Sequence, residues 1–230
     1  MWCNKNAEEF ALSPETTQDQ AMLQIKTQPG NPETELIQRC INPNLTHENS
    51  AALRGNAGRV TDWSKVLSLA SENHLLPLLY SGLGNAAPGR VPLEVSDKLR
   101  KAYQASAVRN TLLTSRMLEL LHMLENGGIH PVPWKGPVLA ATYYSDPPQR
   151  PFGDLDFLVK PDEMPLAVEI MTRNGHVPAD RLEPRVLDLF IKAGNAYVSR
   201  SAGGDFWVDV SSRPALPFFP LRVNPAWLPD

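Results

Sequence analysis

At 230 residues and 42% hydrophobic content, the chain can bury one good-sized core or two small ones, and a soluble globular protein is expected. A formal net charge of -3 gives no global attraction for nucleic acid or an anionic membrane, so a phosphate ligand would have to be held by local charges. No apolar stretch approaches the ~20 residues of a membrane span, and the amino terminus lacks the apolar core of a signal peptide. Cytoplasmic residence is the resulting expectation. Cys3 and Cys40, one in a polar tail and one near its end, suit a reducing compartment and argue against a structural disulfide. No Cys/His cluster has zinc spacing, and the five histidines are expected at the surface or behind a site.

Residues 1–32 are rich in Gln, Thr, Pro, Asn and Glu without an apolar period, which predicts a disordered tail. A helical region is expected over 33–130. "PETELIQRCI" reads as a short helix, and "NPNLTHENSAALRGNAGR" returns to loop composition. In "TDWSKVLSLASENHLLPLLYSGL", Thr61 can cap a helix carrying Trp63, Val66, Leu67 and Ala70 at helical spacing, and a second helix follows around Pro77. Pro92 opens a long helix with Leu99, Leu113, Met117, Leu120, Leu121 and Leu124 on its apolar side and Gly127-Gly128 at its end. The pattern then changes over 131–212 to short apolar runs separated by helices, the mark of a mixed sheet. "IHPVPW" reads as a strand, "PVLAATYY" as a helix with Pro137 near its first position, "GDLDFLV" as a strand and "PDEMPLAVEIMTRNGH" as a helix ending near Gly175. "NAYVSRSAGGDFWVDVSS" gives two strands joined by a Gly-Gly turn. Residues 213–230 form a Pro-rich tail. The fold class is therefore α/β in the α+β sense: a helical amino-terminal half followed by a small mixed sheet.

The strand "GDLDFLV" carries the chemistry. Side chains of a strand alternate faces, so Asp154 and Asp156 share one face while Leu155, Phe157 and Val159 share the other. Their Cα atoms would lie roughly 7 Å apart, within reach of one or two metal ions. Two such carboxylates repel each other unless water, a cationic partner or a divalent cation compensates. An acidic pair on a strand is more often a solvent-facing edge. Two further features come in order with it: a Lys135-Gly136 turn between a strand and a helix, and Asp209 on a later strand.

That order resembles the nucleotidyltransferase superfamily, whose polymerase-beta-like core has a glycine-containing turn after its first strand, an acidic-x-acidic strand and a third acidic residue on a later strand. "PWKGPVLAATYYSDPPQRPFGDLDFLV" looks like a bacterial branch in which Lys-Gly replaces the usual Gly-Ser, and the similarity spans about residues 60 to 212. The resemblance implies transfer of a nucleoside monophosphate from an NTP to an unidentified acceptor. It would make Asp154 and Asp156 the principal ligands of magnesium, or of manganese in its place, with Asp209 as third ligand or base. Lys135, Gly136, Arg150 and Gly153 would take the triphosphate. Carboxylates are the hard oxygen donors that magnesium prefers, and a glycine before a helix lets a phosphate approach backbone N–H groups. Relatives carry a His-Trp pair after the third carboxylate where this chain has Val210-Ser211-Ser212. The superfamily often binds its acceptor with a segment beyond the core; residues 213–230 are too short for a helical domain, so a truncated carboxy-terminal region is the expectation. A non-catalytic nucleotide-binding or scaffold protein of the same fold is the alternative. A nucleic-acid-binding module is disfavoured by the acidic balance and the lack of a basic stripe with interleaved aromatics.

Overall fold

The computed structural model describes residues 30–41, 47–180, 183–194 and 196–213. The expected tails therefore lie almost wholly outside the described residues, as does Cys3. The chain divides into two compact units: residues up to Ala105 with Pro148–Arg150, and Ser106–Pro147 with the residues from Pro151 onward. Among the described residues no helix is long and apolar enough to cross a membrane.

The first unit is built from α1 (Pro32–Ile41), α2 (His47–Ala57), α3 (Trp63–Glu72), α4 (Leu76–Ala86) and the first turns of α5 (Leu93–Asn126). Leu36, Ile37, Leu53, Val66, Leu79, Leu83 and Leu99 form its apolar core. Asn31 starts α1 by accepting from the backbone N–H groups of Glu33 and Thr34 at 3.0 and 3.2 Å, just ahead of Pro32 in the first turn. Two local expectations are corrected. The stretch read as a loop before residue 60 contains α2, because Leu53 and Ala57, four residues apart, are buried in the core and outweigh the Asn- and Gly-rich composition. The cap of α3 is Asp62, which accepts from Lys65 N–H at 3.0 Å. The Thr61 N–H and hydroxyl instead donate to the buried Glu33 at 3.2 and 3.4 Å. Cys40 is a buried free thiol, pushed up to about 12 by burial and so inert as a nucleophile.

The second unit holds the sheet: β1 (Val132–Trp134), β2 (Asp154–Leu158), β3 (Val177–Pro178), β4 (Tyr197–Arg200) and β5 (Trp207–Ser211), in the order β1-β2-β5-β4-β3. β2 and β5 are parallel, and the other pairs are antiparallel. Between the strands come α6 (Gly136–Tyr143), α7 (Met164–Arg173) and α8 (Pro184–Lys192). One sheet face presents Leu155, Phe157, Val208, Val210 and Tyr197 to Leu113, Leu120 and Leu124 of α5 and to Met164, Ala167 and Met171 of α7. Strand alternation and the 3.6-residue helix period bury both stripes together. Gly127 and Gly128 end α5 as expected, Gly128 at φ 83, and α7 stops at Arg173 just before Gly175 at φ 82. β3 and α8 were not expected from sequence; a two-residue strand has no period to read. Of the two places expected for histidines, the surface is excluded for His176, which is buried in a T-shaped contact with Phe206, ring centroids 6.4 Å apart, and burial lowers its pKa.

Candidate functional site

The carboxylate-bearing face of the sheet is assembled from the β1–α6 turn, β2 and β5. At Lys135, the residue before α6, the backbone takes φ 57 and ψ -134, a left-handed conformation that costs a side-chain-bearing residue energy. The lysine is held there by what its side chain reaches. Its Nζ donates to Asp156 Oδ1 at 2.6 Å and lies 4.3 Å from the centroid of the Trp134 ring. Gly136 follows, so tightly packed that a Cβ would stand 3.3 Å from the Asp154 carbonyl oxygen and 3.5 Å from the Phe152 ring. Glycine at 136 thus lets the turn lie against the start of β2.

The three carboxylates come together by strand register. Asp156 pairs with Asp209 across the parallel β2–β5 ladder, and Asp154 pairs with Trp207 one row away. Directly paired residues share a face, and so do residues two apart along a strand, so Asp154, Asp156 and Asp209 stand on the same side. Asp154 is exposed, Asp209 is half-buried and Asp156 is 4% exposed. Burial first, then the charges of Asp156 and Asp154, push the Asp209 carboxyl up from 3.8 to about 6, while Lys135 pulls the other way. Lys135 is bonded to Asp156 and so compensates part of this repulsion. The three side chains offer carboxylate oxygens, the donor type that a hard divalent cation prefers, and Lys135 engages Oδ1 of Asp156. Among the described residues, no group of three His, Cys, Asp or Glu side chains already stands in ligating array.

Arg109, on α5, is a residue that sequence reasoning did not single out. Its Nε donates to the Phe152 carbonyl at 3.2 Å and its Nη2 to the Gly153 carbonyl at 3.3 Å, fixing the chain where it enters β2. Gly153 sits under this guanidinium, with room for a Cβ 3.6 Å from Nη2. No local signal could reveal a contact across 43 residues of sequence. Arg150, the other cationic residue expected to take the triphosphate, belongs to the segment grouped with the first unit.

Neither a curated protein nor a solved structure matches the chain. A family model described as uncharacterised nucleotidyltransferase matches residues 59–215, a stretch that includes the β1–α6 turn, both aspartates of β2 and Asp209. With more than half of its length matched, and with the turn, the paired aspartates and the third carboxylate on one face of the sheet, the chain belongs to this nucleotidyltransferase family.

Proposed function

We propose that the protein transfers a nucleoside monophosphate group from an NTP to a nucleophilic acceptor, with magnesium, or manganese in its place, held by Asp154, Asp156 and Asp209. The observation that carries this reading is the in-register pairing of Asp156 with Asp209, which brings a third carboxylate to the pair on β2. In such a transfer an acceptor oxygen forms a bond to the α-phosphorus, the bond to the pyrophosphate oxygen breaks, and the acceptor proton passes to a base. A bound divalent ion supplies neutralisation of the triphosphate and of the leaving pyrophosphate. Asp209 serves this reaction as third ligand or, where it does not hold the ion, as the base beside Asp156. Lys135 provides a mobile positive charge for a phosphate oxygen, and the backbone N–H groups at the start of α6 point the same way as the helix dipole.

The test is transfer itself. Purified protein is incubated with each α-labelled NTP, magnesium and fractionated cell extract, and label is sought in any acceptor together with released pyrophosphate. Transfer that disappears in Asp156→Asn supports the reading. Magnesium-dependent nucleotide binding without transfer to any fraction would leave the non-catalytic nucleotide-binding protein as the better description.

A further inference from the structure

Lys135 occupies an unusual position for a phosphate-binding lysine, because its ammonium already has a seat. The seat has two walls. One is Asp156, 4% exposed, whose Oδ1 accepts from Nζ at 2.6 Å. The other is the ring of Trp134, 4.3 Å from Nζ, and Trp134 is the register partner of Asp156 on β1. A carboxylate and an aromatic face together make a cation-holding position. The lysine reaches it from a backbone at φ 57 that glycine would adopt without strain, although glycine would bring no charge. Its side chain is nevertheless 46% exposed, so the ammonium can leave toward solvent without unpacking the core.

We infer that Lys135 is a tethered cation that stands at Asp156 in place of a divalent ion and is displaced when the ion binds, becoming available to the phosphate that arrives with it. This inference rests on the reading of the carboxylates as the metal-holding group. Two positive charges a few ångströms apart at one buried carboxylate repel strongly, so ion and ammonium compete for the same position. Two consequences of opposite sign follow. Removing the lysine should tighten binding of a divalent ion alone and weaken binding of a phosphate ligand. A lysine that merely orients Asp156 for the metal would do the reverse for the ion, because its loss would leave the ligand misplaced.

The measurement is Mn2+ binding, followed by the electron paramagnetic resonance signal of the free ion, in the parent chain, Lys135→Met and Lys135→Arg. Pyrophosphate affinity is measured in parallel, and folding is checked by circular dichroism. The Met variant should bind Mn2+ about tenfold more tightly, through loss of a like charge beside the ion, and pyrophosphate more weakly. The Arg variant, which keeps the charge, should stay near the parent in Mn2+ affinity. Lys135→Gln, neutral but still able to donate to Asp156, serves as a second neutral variant should the Met variant not fold. A neutral variant that folds only with Mn2+ present would also support competition at this seat. If the parent binds Mn2+ and the neutral variants bind it no more tightly, the displacement inference is overturned while the metal-holding reading survives. If no form binds Mn2+, the metal-holding reading falls and takes this inference with it.

Discussion

Within β2, Leu155 and Phe157 are fully buried in an apolar layer with residues of α5 and α7, whereas Asp154 and Asp156, one residue out of step, face the side where Asp209 and Lys135 meet them. The two faces have opposite physics. Each large apolar side chain taken out of water on the covered face stabilises the unit by roughly 1.5 to 3 kcal/mol. On the other face the three carboxylates repel one another, and burial of Asp156 and Asp209 deepens the cost. A face that is electrostatically unfavourable by itself can persist because the same strand is anchored through its other face. The apolar side therefore governs whether the unit folds, and the carboxylate side is the one that the proposed function uses.

The largest effect should come from exchanging the character of the faces. Leu155→Asn places an amide with no partner in a fully buried position and should unfold the second unit, read as loss of its cooperative melting transition. Were this variant to melt like the parent, the covered face would not be the anchor. On the other face, Asp156→Asn keeps shape and removes charge. It should lower nucleotide transfer by ~100-fold or more with the fold intact, and transfer rate and melting temperature measured together decide the point. Loss of stability with transfer retained would make Asp156 a structural residue instead.

A substitution between the faces should have a smaller effect. Gly136→Val would force a branched side chain toward the Asp154 carbonyl and the Phe152 ring, where even a Cβ is crowded. It should cost about 1 to 3 kcal/mol in chemical denaturation and weaken nucleotide binding by shifting Asp154. Parental values for both would mean that the close approach at this turn has no consequence.

The smallest effect is a pH dependence. Because the Asp209 carboxyl is raised to about 6 in the folded chain from an ordinary 3.8, the folded state holds that proton more tightly than the unfolded state. Its contribution to stability is thus present in full below pH 3.8 and is lost as the pH rises to about 6. Asp209→Asn should remove this loss, so that in metal-free buffer its melting temperature exceeds that of the parent at pH 7 but not at pH 4. Parallel melting curves for the two proteins across that range would show that Asp209 is not opposed by its neighbours.

Much of this organisation was legible in the sequence where the cause is local. Alternation in "GDLDFLV" separated the two faces, Gly127-Gly128 marked the end of α5, and Pro137 marked the start of α6. α2 was missed because its sequence carries few apolar positions, and its helicity depends on Leu53 and Ala57 finding the core of the first unit. The grip of Arg109 on Phe152 and Gly153 was missed because it links residues more than forty positions apart.

What the sequence by itself determined is the set of faces: strand alternation and helix period follow from backbone sterics, which every residue carries with it. That Asp209 lies beside Asp156, rather than elsewhere along the sheet, was decided only by the tertiary structure. Ladder hydrogen bonds are made by backbone groups common to all residues, so the strand order β1-β2-β5-β4-β3 and the β2–β5 register are selected by how the apolar faces pack under α5 and α7. The ammonium of Lys135 at Asp156 likewise required the turn, the glycine that admits it and the strand it faces to be folded together.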